Sequence, residues 1–174
     1  SHRGLKQFTV MPFGLTNAPA TFQRLMDQVL GKLRFEFALV YLDDVLVFSE
    51  TFDEHLVHLR AVLTCIQNAS LSCKLKKCNF AQLETEYLGH TISGDGIAPE
   101  LSKLDAVKEM MAPTSVKGIR QFLGFVGYYR RFIPTFSKIA KPMNELLRKN
   151  AEWNWTAECD DAFEQLKSLL LKAP

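Results

Sequence analysis

The sequence predicts an α+β fold, with a mixed part over residues 1–96, an all-helical part over 97–149 and a helical tail over 150–174. Three observations carry this. Two short runs rich in strand formers, Phe37-Ala38-Leu39-Val40 and Val45-Leu46-Val47-Phe48, flank Tyr41-Leu42-Asp43-Asp44. Helix signals stand on either side of them. From Ile97 onward, caps and helical periodicity replace alternation.

Taken in order, Phe8–Phe13 reads as extended. Asn17 is placed to cap a helix running to about Val29, with Pro19 in its first turn and Gly31 as its stop. Phe22, Leu25, Met26 and Val29 give that helix one apolar side. The Asp43-Asp44 pair then falls at the tip of a hairpin over roughly 37–49. Thr51-x-x-Glu54 forms a capping box for a helix to about Asn68, with Leu56, Leu59, Leu63 and Ile66 as its buried stripe. Leu71–Leu75 alternates as a short strand, and Lys74, Lys76 and Lys77 crowd its end. Thr85–Ser93 is extended with a break at Gly89, and Gly94-Asp95-Gly96 is a turn. Ser102 caps a helix to about Met111. Thr114 or Ser115 caps a longer one to Phe132, closed by Pro134. Pro142 opens a short helix, and Thr156 caps a last one over 157–172.

Composition narrows the class. A hydrophobic share of 47% and a charged share of 23% are those of a globular chain with a sizeable core. No apolar run approaches the roughly 18–20 residues of a membrane span. The start, Ser1-His2-Arg3-Gly4, lacks both a signal-peptide core and an initiator Met, and reads as a fragment, a processed product or an expressed piece. The four cysteines have no Cys-x-x-Cys spacing, so a reducing compartment is expected, cytoplasmic or nuclear. His55 and His58 share a helix face, but no third ligand stands near them in sequence. Net charge is only +2, but it is unevenly spread. Residues 114–149 hold 8 basic and 1 acidic residue, against 11 and 13 in 1–113 and 2 and 5 in 150–174. That basic segment is a candidate phosphate-binding surface, or simply a solvated helical face.

The adjacent carboxylates are the main chemical signal. Asp suits turn geometry, so the pair alone could be structural. Two neighbouring carboxylates also repel unless a cation offsets them, and magnesium is commonly held by one or two carboxylates plus substrate phosphates. Arg120, Gly124 and Tyr128, at i, i+4 and i+8, share one face of a helix, where a Gly between a guanidinium and an aromatic lets a duplex backbone come close. Ile119, Phe122, Leu123 and Val126 would hold the core. Close helix packing is the alternative use of Gly124 and Gly127.

The order of these blocks resembles the palm and thumb of a reverse transcriptase, and is similar to the gypsy-type long-terminal-repeat retrotransposon class. The run Phe8-Thr9-Val10-Met11-Pro12-Phe13-Gly14-Leu15-Thr16-Asn17-Ala18-Pro19-Ala20-Thr21-Phe22-Gln23-Arg24 resembles that family's template- and nucleotide-contacting motif. Tyr41-Leu42-Asp43-Asp44 resembles its catalytic tetrad. Tyr87-Leu88-Gly89-His90 is similar to the primer grip, and Gln121–Gly124 through Tyr128–Phe132 to the thumb helix. Trp153-Asn154-Trp155-Thr156, with Ala162-Phe163 and Leu166-Lys167, resembles the connection toward a ribonuclease H domain.

The resemblance implies a partial palm over 1–96, a thumb over 97–149 and the start of the connection over 150–174. It implies catalysis and Mg2+ (or Mn2+) binding at Asp43, with Asp44 in support, and a nucleotide pocket touching Phe13, Gly14, Gln23 and Tyr41. Leu88, Gly89 and His90 would grip the primer. Lys117, Arg120, Gly124, Tyr128, Arg130 and Arg131 would bind nucleic acid, and Lys138 and Lys141 would add phosphate attraction. The implied partners are an RNA/DNA template–primer duplex, a dNTP in the full enzyme, and the fingers and ribonuclease H domains of the same polyprotein, with no membrane. The family's further palm aspartate, its basic fingers and its sugar-reading gate lie upstream of the motif at which the chain begins. Two-metal nucleotidyl transfer is therefore expected of the full enzyme and little of this chain alone, so its status as an enzyme stays open. The alternative is a non-catalytic nucleic-acid- or protein-binding module derived from a retroelement.

Overall fold

The computed structural model describes the chain except Ser1, Arg3, Phe13 and Pro174. It falls into two compact units, 1–82 and 83–174. The expected palm range, 1–96, runs across that boundary.

In the first unit α1 (Ala18–Leu30) and a kinked turn, α2 (Leu33–Glu36), precede the antiparallel hairpin of β1 (Ala38–Tyr41) and β2 (Asp44–Val47); α3 (Phe52–Asn68) follows. The capping box of α3 is present, with Glu54 N–H donating to Thr51 Oγ1 and Thr51 N–H to the Glu54 carboxylate, both at 3.3 Å. Met26, Leu30, Ala38, Val62 and Ile66 are buried together, so α1, the hairpin and α3 share one core.

Several expectations are corrected in this unit. Asn17 stands at the N-cap with helical φ/ψ (−93°, −1°), and its side chain makes no cap bond, since it lacks the extended backbone of a capping residue and Pro19 offers no N–H. The buried side of α1 is centred on Met26 and Leu30, leaving Leu25 exposed. The buried side of α3 is Val62 and Ile66, leaving Leu56 and Leu63 exposed. Leu71–Leu75 forms no strand. Without a neighbouring strand its backbone bonds locally, and a 3-10 turn at Leu75–Lys77 is closed by Lys77 N–H to the Lys74 carbonyl.

In the second unit β3 (Glu84–Tyr87), β4 (His90–Ser93) and β5 (Gly96–Pro99) make an antiparallel sheet in that order. Helices α4 (Leu101–Lys108), α5 (Val116–Tyr128), α6 (Phe136–Ile139), α7 (Lys141–Glu145) and α8 (Ala157–Leu171) follow. Helical character therefore begins after Pro99 rather than at Ile97, because the Gly94-Asp95 turn returns Ile97 opposite Ile92. Ser102 gives its hydroxyl to the Glu100 carboxylate instead of capping α4. Ser115 caps α5 through Gly118 N–H, but α5 stops at Tyr128 and a 3-10 turn continues over Arg130–Phe132, bringing Tyr129 and Ile133 into the core. Thr156 stands at the α8 N-cap, but its hydroxyl meets Cys159 Sγ and makes no cap bond. Helix α8 supplies Cys159, Ala162, Phe163, Leu166 and Leu170 to the core that also holds Ile119, Phe122 and Val126 of α5.

Candidate active-site hairpin and nucleic-acid interface

In the first unit Tyr41 and Asp44 pair across the hairpin, and Leu42-Asp43 form its two-residue turn. Leu42 has φ +53°, a left-handed position that costs a non-glycine residue about 1 kcal/mol. The turn is held there from α1. Leu42 N–H donates to Gln23 Oε1 at 2.6 Å, and Gln23 Nε2 donates to the Val40 carbonyl (3.3 Å) and to Asp27 (2.9 Å). Asp27 in turn pairs with Arg34. The Arg34 guanidinium, with help from the Gln23 amide, holds the Asp27 carboxyl below its ordinary pKa. Gln23, read in the sequence as a nucleotide contact, thus spends its amide on the hairpin backbone. The i, i+4 spacing of Gln23 and Asp27 marks the bond between those two side chains, but nothing in the sequence marks the reach of Gln23 to Leu42 and Val40.

Asp43, Asp44 and Tyr41 are exposed. Among the described residues no basic side chain pairs with either carboxylate, and no group of three or more His, Cys, Asp or Glu converges. Two adjacent, unneutralised carboxylates fit a hard divalent cation that takes its other ligands from water or phosphate. Gly14 lies in an exposed turn, and Phe13 lies outside the described residues. His55 and His58 face the Ser49 hydroxyl, at 3.4 and 2.7 Å, and His58 stacks on Phe37 at 3.8 Å.

In the second unit Leu88 and Gly89 form the β3–β4 turn with φ +50° and +74°, the pattern of a two-residue hairpin turn with both central residues left-handed. His90 lies against Tyr128, Tyr129 and Phe132, with ring centroids 5.3–5.9 Å away. On α5, Lys117, Arg120, Gly124 and Tyr128 are exposed, while Ile119, Phe122 and Val126 are buried and Leu123 is half-buried. A Cβ added at Gly124 would meet nothing within 4 Å, so nothing among the described residues requires glycine there. At Gly127 it would make an ordinary contact with Phe136 at 3.7 Å, so close helix packing explains neither glycine. Arg130 and Arg131 are exposed just beyond the helix, Arg131 lying over the Phe132 ring. Tyr129 and Glu100 also contact the Leu88-Gly89 turn, and nothing in the sequence had singled them out.

Residues 1–92 match the family model "Reverse transcriptase (RNA-dependent DNA polymerase)". The chain is 44% identical over 172 residues to the retrovirus-related Pol polyprotein from transposon 297 of Drosophila melanogaster, covering 98% of this chain and 16% of that protein. It is 37% identical to the transposon Tf2-3 polyprotein of Schizosaccharomyces pombe, covering 99% and 13%. The relatives are transposon polyproteins, as the resemblance implied, and the chain spans a small part of their length. Among solved structures it is similar to a foamy viral protease-reverse transcriptase in complex with double-stranded DNA (TM-score 0.83, 29% identity, 94% of this chain and 29% of that one). It is also similar to a foamy viral protease-reverse transcriptase in complex with an RNA/DNA hybrid (TM-score 0.79, 29% identity, 95% and 23%). The palm-and-thumb fold class is that of these structures. Reverse transcriptases generally use divalent metal ions. No helix among the described residues is long and apolar enough to cross a membrane. The family model spans more than half of the sequence, and the chain belongs to the reverse transcriptase (RNA-dependent DNA polymerase) family.

Proposed function

We propose that this chain supplies two parts of a retrotransposon reverse transcriptase, a carboxylate hairpin for nucleotidyl transfer and a helical unit that binds the template–primer duplex. The single observation that carries the reading is the exposed, unneutralised Asp43-Asp44 pair on a strained turn that Gln23 anchors to α1. Backbone strain held in place by a neighbouring element suits a group kept ready for a ligand. Asp43 and Asp44 would hold Mg2+ or Mn2+ through carboxylate oxygens. When bound, such ions lower the pKa of the primer 3′-hydroxyl and neutralise charge on the leaving pyrophosphate. Gln23 keeps the turn that presents the carboxylates, and Tyr41 stands exposed across the hairpin from Asp44. Leu88, Gly89 and His90 would hold the primer end. Arg120 and Tyr128 would reach the duplex across Gly124, with Lys117, Arg130 and Arg131 adding phosphate contacts.

With two carboxylates and no third ligand among the described residues, the isolated chain would hold the cation weakly and bind duplex without extending a primer. That same observation favours the second reading, a non-catalytic binding module. Duplex binding across a salt series, together with primer extension in Mg2+ and in Mn2+, tests both. The expected result is affinity that falls steeply with salt, a slope reduced by about one in Arg120→Ala, and no extension. A flat salt profile would favour protein binding. Extension abolished by Asp43→Asn would make the chain an enzyme on its own.

A further inference from the structure

We infer that Tyr129, with Tyr128 beside it, is a positioning residue whose hydroxyl fixes the Leu88-Gly89 turn and hence the groups the turn offers to a primer end. The inference rests on reading that turn as the primer-holding segment. In a two-residue hairpin turn the central carbonyls take no part in the strand ladder and need partners elsewhere. Here both have two. The Leu88 carbonyl accepts from Tyr128 Oη at 2.5 Å and from His90 Nδ1 at 3.0 Å. The Gly89 carbonyl accepts from Tyr129 Oη at 2.9 Å and from Glu100 N–H at 3.1 Å.

The two hydroxyls come from neighbouring residues, which inside a regular helix would point about 100° apart. Ending α5 at Tyr128 and turning Tyr129 to φ −96°, ψ 13° removes that constraint, and the two rings then meet edge-on at 4.9 Å. Gly89 is suited to its place twice over. Its φ is +74°, and a Cβ there would stand 3.1 Å from Tyr129 Oη, a contact tight enough to press on the hydroxyl that bonds the carbonyl. Burial, then Tyr128 and Glu100, raise the Tyr129 pKa, so the hydroxyl keeps its proton and remains a donor. Tyr128 is half exposed on the face of Arg120 and Gly124 while its hydroxyl reaches Leu88. The same side chain therefore touches both the proposed duplex face and the turn. A carbonyl only accepts, so His90 carries its proton on Nδ1, and its Nε2 is buried without a hydrogen-bond partner. The tautomer of His90 thus reports the state of the turn.

The test uses Tyr129→Phe in the full chain, which keeps the ring in the core and removes only the oxygen. Amide exchange and 15N spectra of the His90 ring follow the turn. A primer–template duplex with 2-aminopurine at the primer 3′ terminus follows the primer end. In Tyr129→Phe the Glu100 amide should exchange roughly five- to tenfold faster and the His90 ring signals should shift. The duplex Kd should stay at its wild-type value while the 2-aminopurine emission changes. Unchanged exchange and unchanged His90 signals would overturn the inference, as would unchanged emission with the duplex bound. If wild-type chain binds no duplex, the proposed function fails, and exchange together with the His90 spectra still decides whether Tyr129 sets the turn.

Discussion

Gln23 does the work of three contacts with one amide, bonding the backbone on either side of Tyr41, where β1 enters the hairpin turn, and Asp27 below it. Removing it leaves Leu42 N–H without its acceptor while Leu42 remains at a strained φ. Gln23→Ala should therefore cost about 1 kcal/mol in thermal or denaturant unfolding, and should weaken Mn2+ binding at Asp43-Asp44 in a paramagnetic titration. Asp27 gives a pH signature of known sign. Its carboxyl is held below the ordinary value near 3.8 by Arg34 first and Gln23 second. The folded form thus binds the proton less readily than the unfolded chain. The stabilisation is fully present above the unfolded pKa and is lost as pH falls through the lower folded one. Below about pH 4, Asp27→Asn should show a shallower loss of stability with acid than wild type, read from melts across a pH series. The two tyrosine hydroxyls belong to the same scale, because each acts through one oxygen on one carbonyl.

Helix α5 shows how one element answers two demands. Its buried side is a regular run of Ile119, Phe122 and Val126, capped at the start by Ser115. Its exposed side carries a glycine that nothing among the described residues requires. Glycine inside a helix is less stable than alanine by roughly 0.5–1 kcal/mol. Gly124→Ala should accordingly raise the stability of the chain by about that amount while lowering its affinity for duplex. Melting and duplex binding measured on the same sample check both halves. A stabilised variant with undiminished duplex affinity would remove Gly124 from the interface. The N-caps teach a related lesson. Thr51 and Ser115 cap from an extended backbone, which Asn17 in helical φ/ψ lacks, but extended backbone alone does not suffice, since Thr156 is extended too and makes no cap bond.

Each compact unit has a core of its own. In the second, the acidic tail is central, since α8 places Leu166 and Leu170 fully out of water against residues of α5, α6 and α7. Leu166→Ala should cost about 2–5 kcal/mol, with the loss of amide protection confined to residues 83–174. Leu171, over a third exposed on the same helix, should tolerate alanine at well under that cost. Loss of protection in α1 and α3 as well would show that the two units unfold together.

Local signals in the sequence sufficed for the Asp43-Asp44 hairpin, the capping box at Thr51, the start of α5 and the division of its faces. Each depends on residues within one or two turns of one another, and on side-chain preferences that act before any long-range contact forms. Tertiary structure alone decided the rest. Leu71–Leu75 has the alternation of a strand and no neighbour to pair with, while Ile97–Pro99 lacks a strand signal and is made one by β4. The buried sides of α1 and α3 are set by which side chains meet across the hairpin rather than by periodicity, so Leu25, Leu56 and Leu63 stay in contact with water. Gln23 on the Leu42 turn and Tyr129 on Gly89 link positions 19 and 40 residues apart. The sequence could show carboxylates at a tip and a glycine at a turn. Only the fold brings up the amide and the hydroxyl that hold each turn in shape, because such bonds form between surfaces that the chain creates by folding.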